Sequence, residues 1–157
     1  MIKVSGDKLL IRPATESDLQ AAFKLMAELG YPDLSTARFA ETYSSVQNHP
    51  AMTLIVAEVD GEVVGLASIS RRPQLRLTAD LITIDELVVA DSARGMGAGR
   101  ALLDYVKAMA GRLGACRLEL ETNRARESYR RRFYIRNGFT EADSAVMRIE
   151  YDLPDDL

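Results

Sequence analysis

Residue types with distinctive chemistry are scarce in this sequence. It contains one cysteine, Cys116, and one histidine, His49. A single thiol excludes an intrachain disulfide, which fits a reducing compartment. A lone histidine excludes a metal site built on several histidines, and we expect no metal. No apolar run is long enough to cross a membrane, and residues 1–14 lack an apolar signal core. The sequence therefore predicts a cytoplasmic protein that does not bind membranes.

The charge balance gives no sign of a nucleic-acid-binding surface. The formal net charge is -3, and charged residues make up 27% of the chain. A general nucleic-acid binder usually carries a basic excess, so we expect no nucleic-acid partner. With 157 residues, of which 47% are hydrophobic, the chain can bury one sizeable core. We expect residues 1–157 to form a single domain.

Apolar periodicity and turn residues predict a mixed α/β fold. The expected order is β α α β β β α β α β, which is not a doubly wound arrangement. Asp60-Gly61 supplies a tight turn between two strands of residues 52–70. The other expected strands are 8–14, 80–89, 116–122 and 146–153, with residues 71–79 as a loop or strand end. The expected helices are 16–29, 35–47, 98–113 and 126–137.

A glycine-rich loop, "RGMGAG", lies between a strand and a long amphipathic helix at residues 94–99. The first backbone N–H groups of a helix have no partner inside it, and the helix dipole favours negative charge there. Glycines let a phosphate approach the backbone closely, and an arginine can close over it. The loop therefore indicates a diphosphate site. A sharp strand-to-helix connection is the alternative interpretation.

Two other phosphate-binding motifs do not fit this loop. A Walker loop needs Lys-Ser or Lys-Thr after its last glycine, whereas Arg100 and Ala101 follow here. A dinucleotide fingerprint, G-x-G-x-x-G, would place its third glycine on Arg100 or Leu102. The remaining pattern is Arg-x-x-Gly-x-Gly, preceded by a strand.

That pattern, within "ELVVADSARGMGAGRALL" (86–103), together with "RRFYIRNGF" (131–139), resembles the GNAT superfamily of acetyl-CoA-dependent N-acetyltransferases. The resemblance implies a mainly antiparallel sheet, flanked by helices and splayed at the cofactor site. It also implies that the diphosphate of CoA lies on the glycine loop, while the pantetheine arm runs along the preceding strand. The implied cofactor-binding residues are Leu87, Val88, Val89, Arg94, Gly95, Met96, Gly97, Ala98, Gly99, Arg100 and Asn123.

The same resemblance implies two catalytic residues. Glu86 would accept a proton from the amine, directly or through water, and Tyr134 would donate one to the departing sulfur. One N–H, near Leu87 or Val88, would polarise the thioester carbonyl. The alternatives are a solvent-facing glutamate and a core tyrosine bonded to backbone. Strand alternation predicts that Asp85 points away from Glu86.

The expected reaction is direct transfer of an acetyl group from acetyl-CoA to a primary amine of a small molecule. The chain loosely resembles the branch of aminoalkylphosphonate N-acetyltransferases, although Arg131 and Arg132 replace the small residue and histidine common there. Arg71, Arg72 and Arg76 could favour a negatively charged acceptor. The alternatives are a protein or peptide N-acetyltransferase and a catalytically inactive acyl-CoA sensor. The resemblance also suggests a homodimer.

Overall fold

The structure is a computed structural model that describes residues 8–154, so both ends of the expected 1–157 domain lie outside the described residues. The chain divides into two compact units, Met1–Thr122 and Asn123–Leu157. The first unit contains a sheet and three helices. The second contains two short helices and a segment without regular structure. The expectation of a single domain stays a prediction.

The first unit is built on a five-stranded sheet in the order β1-β2-β3-β4-β5. The strands are β1 (Leu9–Pro13), β2 (Met52–Val59), β3 (Glu62–Gln74), β4 (Ala79–Val89) and β5 (Arg117–Leu120). Neighbouring strands are antiparallel except β4 and β5, which are parallel. At the β2–β3 turn, Asp60 and Gly61 have φ angles of 51° and 84°, as the tight turn requires. The expected mixed α/β fold with a mainly antiparallel sheet is confirmed.

Three helices flank this sheet: α1 (Leu19–Leu29), α2 (Thr36–Asn48) and α3 (Ala98–Arg112). Before α1, the backbone N–H of Thr15 donates to Asp18 at 2.8 Å, and Arg12 donates to both oxygens of that carboxylate. Gly30, with a φ angle of 117°, ends the helix. The Ser35 hydroxyl accepts the Arg38 N–H at the start of α2.

The core lies on both faces of the sheet. On one face, Leu54 and Leu66 belong to a buried cluster with residues of α1 and α2, including Ala22 and Tyr43. On the other face, α3 packs so closely on β3 that a Cβ added to Gly65 would lie 3.2 Å from Leu102 Cδ1. Successive strand residues point to opposite faces, which explains how β2 and β3 supply both cores.

The second unit differs from the sequence prediction in two places. The single helix expected over 126–137 is two short helices, α4 (Glu127–Arg130) and α5 (Phe133–Arg136), because Arg132 adopts a left-handed φ of 61°. The strand expected over 146–153 does not form in the described part of the chain. Gly138, with a φ angle of 93°, follows α5, as expected.

Candidate active site

A β-bulge in β4 sets the direction of Glu86. Ser68 of β3 pairs with Glu86 and Ile69 pairs with Ile84, so Asp85 is an extra residue in β4. Ser70 donates a hydrogen bond to Asp85, and the Ser68 hydroxyl donates one to Glu86. Ser68 and Ser70 lie on the same face of β3, so the two carboxylates share that face. The prediction that Asp85 points away from Glu86 is therefore wrong, because a bulge breaks the alternation.

Desolvation is the main influence on both carboxylates. It raises the pKa of Glu86, although this side chain keeps an exposed surface, and the charge of Asp85 raises it further. Desolvation also raises the pKa of Asp85, against the opposing effects of the Ser70 hydrogen bond and the Arg72 charge. A carboxylate with a raised pKa holds a proton more readily, which suits a general base. Carboxylates whose pKa is perturbed in a cleft are also typical of functional sites.

Glu86 lines a pocket that opens to solvent. The pocket has a volume of about 90 Å³ and lies between the α1–α2 pair and the face of β2, β3 and β4. Ser68 lines it beside Glu86, and its walls are mostly apolar. Arg71, one of the arginines expected near the acceptor, pairs with Asp80 at 2.7 Å instead. A small molecule placed in this pocket would meet the Glu86 carboxylate.

The backbone of β4 loses one of its two neighbours beside Glu86. β4 pairs with β5 from Leu81 to Ile84, and among the described residues no pair follows Ile84 and Leu120. On the other side, β4 stays paired with β3 as far as Val89. Residues 85–89 therefore present a free backbone edge on the β5 side. This is the splay that the sequence predicts.

The hydrogen-bond pattern identifies which groups lie on that free edge. The Ala90 N–H donates to the Val64 carbonyl oxygen, towards β3, at 2.7 Å. In an antiparallel ladder the backbone groups alternate in direction, so the N–H of Val88 points to β3 as well. The N–H and C=O groups of Leu87 and Val89 then lie on the free edge. Of the two expected positions for a polarising N–H, this pattern favours Leu87.

The glycine loop leads into α3, and a short 3₁₀ turn, Asp91–Ala93, separates it from β4. The Asp91 N–H donates to a carboxylate oxygen of Glu28 in α1 at 2.9 Å, which holds the turn before the loop. Gly95 and Gly97 both have φ angles of 82°, a conformation that strongly favours glycine. A Cβ at either position would have no atom within 4 Å. These glycines are therefore required by backbone conformation, and the space above them is open.

The start of α3 has unpaired backbone donors. Gly97 is the N-cap, and no side chain caps it. The first backbone bond of the helix runs from the Ala101 N–H to the Gly97 carbonyl at 3.0 Å, so the N–H groups of Ala98, Gly99 and Arg100 have no partner within the helix. No acidic residue lies in this first turn. Such a terminus favours an anion.

Two arginines of the predicted cofactor site lie beside this terminus. Arg94 forms an ion pair with Asp91 at 2.8 Å, and Arg100 lies 3.8 Å from Asp104. Both arginine side chains keep exposed surface. Exposed ion pairs are weak, so these guanidinium groups can exchange their partners for a phosphate at low cost. Met96, also in the predicted set, donates its N–H to the Ala93 carbonyl.

Within the second unit, Tyr134 is half-buried among aromatic rings. Its ring centroid lies 5.1 Å from that of Phe133 and 6.0 Å from that of Phe139, both edge to face. Desolvation raises the pKa of the phenol, and the charge of Arg126 opposes that effect. Among residues 8–154, no hydrogen bond ties the Tyr134 hydroxyl to backbone. The alternative of a core tyrosine bonded to backbone is therefore not favoured.

Two polar side chains, Thr122 and Asn123, follow β5, and they differ in their hydrogen bonding. The Asn123 side-chain oxygen accepts the Ala125 N–H at 2.8 Å, which stabilises the turn into α4. The Thr122 hydroxyl oxygen is buried and has no partner among the described residues. An unsatisfied buried hydroxyl is costly, so it marks a place where a ligand or water would be stabilised. Sequence reasoning selected Asn123 and missed Thr122.

Ser68 is the other residue that sequence reasoning missed. It is buried and bonds the carboxylate of Glu86. Its position in "LASIS", an apolar run of β3, gives one signal, because a serine at a core-facing strand position requires a polar partner. The identity of that partner depends on the register between β3 and β4, which the sequence does not state.

These features define a class of protein: an α/β domain with a splayed sheet, a helix whose uncapped start follows the splayed strand, and a carboxylate on that strand. A family model described as "Acetyltransferase (GNAT) family" matches residues 16–139. The chain belongs to this family of acetyl-CoA-dependent acyltransferases. In the described part of the chain, no helix is long and apolar enough to span a membrane.

The chain is also similar to individual proteins and solved structures. The chain is similar to an aminoalkylphosphonate N-acetyltransferase of Salmonella typhimurium, with 31% identity over 84% of this chain and 85% of that protein. A solved structure of a transcriptional regulator from Bacillus halodurans is similar with a TM-score of 0.83 and 25% identity, over 91% of this chain and 99% of that one. An acetyltransferase from Trypanosoma brucei gives a TM-score of 0.74 and 27% identity over the same shares.

Proposed function

We propose that this protein transfers the acetyl group of acetyl-CoA to a primary amine of a small molecule by direct attack. The observation that carries the proposal is the free edge of β4 at residues 85–89, which continues along the chain into the uncapped start of α3. One strand thus offers an edge for an extended amide-bearing arm, and the helix after it offers donors for a diphosphate.

The residues present fit acetyl-CoA. Free N–H and C=O groups of Leu87 and Val89 match the amides of a pantetheine arm, and the open N–H groups from Ala98 to Arg100 match a diphosphate. Arg94 supplies a guanidinium group beside that terminus. The thioester supplies an activated acetyl group, and the role of this chain is to hold and polarise it. The Leu87 N–H would donate to the thioester carbonyl oxygen.

Glu86 is proposed as the general base. Its carboxylate lines the pocket. Glu86 comes two residues after Ile84, the last residue of β4 that pairs with β5, so it lies beside the free edge. Its raised pKa favours proton uptake from an ammonium group, directly or through one water. Ser68 fixes the carboxylate by a hydrogen bond. Tyr134 is proposed as the acid for the departing thiolate. Two observations support this role: its phenol is desolvated, and "RRFYIRNGF" resembles the GNAT segment that carries this acid.

The experiment that tests this function combines binding and turnover. Titration calorimetry should detect acetyl-CoA binding, and a thiol-release assay should detect transfer across a panel of amines and a lysine-bearing peptide. Transfer to small amines with little transfer to the peptide is the expected result. Binding without turnover on any acceptor would favour the inactive sensor, and preferred turnover on the peptide would favour the protein N-acetyltransferase.

A homodimer is also proposed, on an exposed apolar row in the second unit. Met147, Ile149, Tyr151 and Leu153 alternate with polar residues and are 73–90% exposed. Alternation of this kind belongs to a strand, and a strand requires a sheet edge; β5 is an edge strand, so β5 of a second copy would provide one. Sedimentation equilibrium should give the mass of two chains for the protein and of one chain for Ile149→Lys. A single-chain mass for the unaltered protein would contradict this proposal.

We further propose a cytoplasmic location. The chain has one cysteine, Cys116, which is free and exposed. A free exposed thiol suits a reducing compartment. Fractionation of the source cells should recover the protein with the cytoplasmic fraction, and recovery outside it would contradict the proposal.

A further inference from the structure

The pocket beside Glu86 has walls of a distinct chemical character. Seven of its ten lining residues are apolar or aromatic, and they come from α1, α2, β2 and β3. Phe39 and Tyr43 form an aromatic wall on α2, with ring centroids 6.2 Å apart. Phe23 extends this aromatic cluster behind Phe39, at 5.3 Å. A lining that is mostly apolar with a few polar groups suits the hydrocarbon or aromatic body of a small molecule.

The hydroxyl group of Tyr43, in the aromatic wall, already has a hydrogen-bond partner within the fold. The Tyr43 hydroxyl donates to the Thr15 carbonyl oxygen at 2.6 Å, and burial raises the pKa of this phenol to about 12. Tyr43 therefore presents its ring to the pocket while its hydroxyl serves the fold. The polar side chains left in the lining are Thr42, Ser68 and Glu86, and the Ser68 hydroxyl is itself bonded to Glu86.

The charge of the pocket has one sign. Glu86 is the charged residue among those that line it, and Asp85 lies next to it on the same face. No lysine or arginine is among the described lining residues. Arg72, the cation that acts on Asp85, is not part of the lining, and Arg71 pairs with Asp80. An ammonium group is stabilised here, whereas a phosphonate or carboxylate would lack a partner and be repelled.

We propose that the acceptor is an apolar primary amine, with an aromatic or branched hydrocarbon body and no anionic group. The inference rests on the proposed acetyl transfer and names the acceptor of that same site. The hydrocarbon body lies against Phe39, Val46 and Leu66, and the ammonium group lies against Glu86. This assignment differs from the acceptor in the name of the Salmonella typhimurium relative, whose substrate carries a phosphonate.

The transfer step balances with these groups. The ammonium group gives one proton to the Glu86 carboxylate. The amine nitrogen then forms a bond to the acetyl carbon while the carbon–sulfur bond breaks, and its second proton passes to solvent. The sulfur departs as a thiolate and takes one proton from Tyr134, which the solvent then reprotonates. Glu86 returns its proton to solvent, so the net reaction releases one proton. The products are an N-acetylated amine, less polar than the substrate, and free CoA.

The test compares three acceptors that differ in one feature each. These are 2-phenylethylamine, phenylalanine, which adds a carboxylate to it, and 2-aminoethylphosphonate, which replaces its ring by a phosphonate. We expect kcat/KM for 2-phenylethylamine to exceed that for either anionic amine by about 10- to 100-fold. The amine of phenylalanine is less basic than that of 2-phenylethylamine, so a larger fraction of it is unprotonated at neutral pH. Amine basicity alone would therefore favour phenylalanine over 2-phenylethylamine.

A charge-insertion variant tests the location of the acceptor. Thr42→Arg adds a cation to the pocket wall and should reduce the preference for 2-phenylethylamine at least about tenfold. Ser45→Arg adds the same charge to an exposed position of α2 outside the lining, and it should leave the preference unchanged. Thr42 is itself exposed, so the variant should fold, and thermal unfolding of both variants checks this.

The outcomes separate this inference from the proposed function. Turnover of 2-aminoethylphosphonate or phenylalanine at a rate equal to or above that of 2-phenylethylamine overturns the apolar acceptor and leaves acetyl transfer intact. If no amine is acetylated, the proposed acetyl transfer is refuted. Calorimetric binding of 2-phenylethylamine then tests the apolar pocket by itself. Binding that Thr42→Arg weakens and Ser45→Arg does not would support the apolar pocket, and absence of binding would overturn it.

Discussion

Replacement of Glu86 by glutamine removes the proposed base with the least structural change. Glutamine has the same shape and can still accept the hydrogen bond from Ser68 through its amide oxygen. It cannot accept a proton at neutral pH. General-base catalysis typically contributes about 10²–10⁴-fold to the rate. Because Glu86 keeps an exposed surface, water can replace it in part, so we expect a loss of kcat of about 10²–10³-fold. That loss corresponds to roughly 3–4 kcal/mol of transition-state stabilisation.

The pH dependence gives the same prediction a second readout. Desolvation and Asp85 raise the pKa of Glu86, so its ionised, basic form is lost at a higher pH than for an ordinary glutamate. The rate of the unaltered protein should fall as the pH falls through this raised pKa. In Glu86→Gln this acid limb should disappear. The thiol-release assay measures both rates, and calorimetry should show unchanged acetyl-CoA affinity.

Stability should change in the opposite direction to activity. A raised pKa means that the folded state binds the proton more tightly than the unfolded state. The folding stability of the unaltered protein is therefore lowered as the pH rises from the ordinary glutamate pKa through the raised one. Glu86→Gln avoids this loss. The free energy of unfolding of Glu86→Gln minus that of the unaltered protein should therefore be larger at pH 8 than at pH 4, as measured by denaturant unfolding.

An exposed glutamate provides the control for these measurements. Glu62→Gln, at the start of β3, makes the same chemical change outside the site and should alter neither rate nor pH profile. A Glu86→Gln rate within about threefold of the unaltered protein would refute the assignment of Glu86 as base. Loss of activity together with loss of stability at every pH would indicate a purely structural residue instead.

Four further predictions address the other parts of the site and its support. Tyr134→Phe should lower kcat by about 10²-fold while the acetyl-CoA affinity stays unchanged, as pre-steady-state and binding measurements can show. Gly97→Val places a branched residue at a φ angle of 82° and should weaken acetyl-CoA binding at least tenfold by calorimetry, and retained affinity would place the diphosphate elsewhere. Asp85→Asn removes the like charge that raises the pKa of Glu86, so the acid limb of the pH–rate profile should move to lower pH. Leu102→Ala, at a position with 0% exposure, should cost about 2–5 kcal/mol in denaturant unfolding.

The features that depend on local sequence could be predicted. Asp60-Gly61 identified a hairpin, and the glycines after β4 identified a helix start that lacks a side-chain cap. Both follow from φ angles that glycine and aspartate adopt readily. The family resemblance of residues 86–103 and 131–139 added the splay between β4 and β5, which the pairing confirms at Ile84.

The features that depend on cross-strand register could not be predicted. "ITIDELVV" alternates well enough to place Asp85 and Glu86 on opposite faces, and the bulge that brings them together comes from pairing with β3. The left-handed Arg132 has no glycine or proline nearby to signal the break between α4 and α5. The row from Met147 to Leu153 has a strand pattern, but a pattern cannot supply the neighbouring strand on which a strand depends.

The bulge and the end of the β4–β5 pairing occur at consecutive residues, and this coincidence explains how one strand can serve both reactants. Ile84 is the last residue of β4 paired with β5, and Asp85 is the bulged residue that follows it. A bulge increases the local twist of a strand, which turns its later part away from the line of its neighbour. The backbone after Asp85 is thereby left open on the side of β5, where we propose the acyl donor, and Glu86 after the bulge lines the α1–α2 pocket. The distance between the acyl donor and the proposed base would then be fixed by a single stretch of backbone. A change that restores regular pairing at Asp85 should therefore disturb acetyl-CoA binding and proton transfer together.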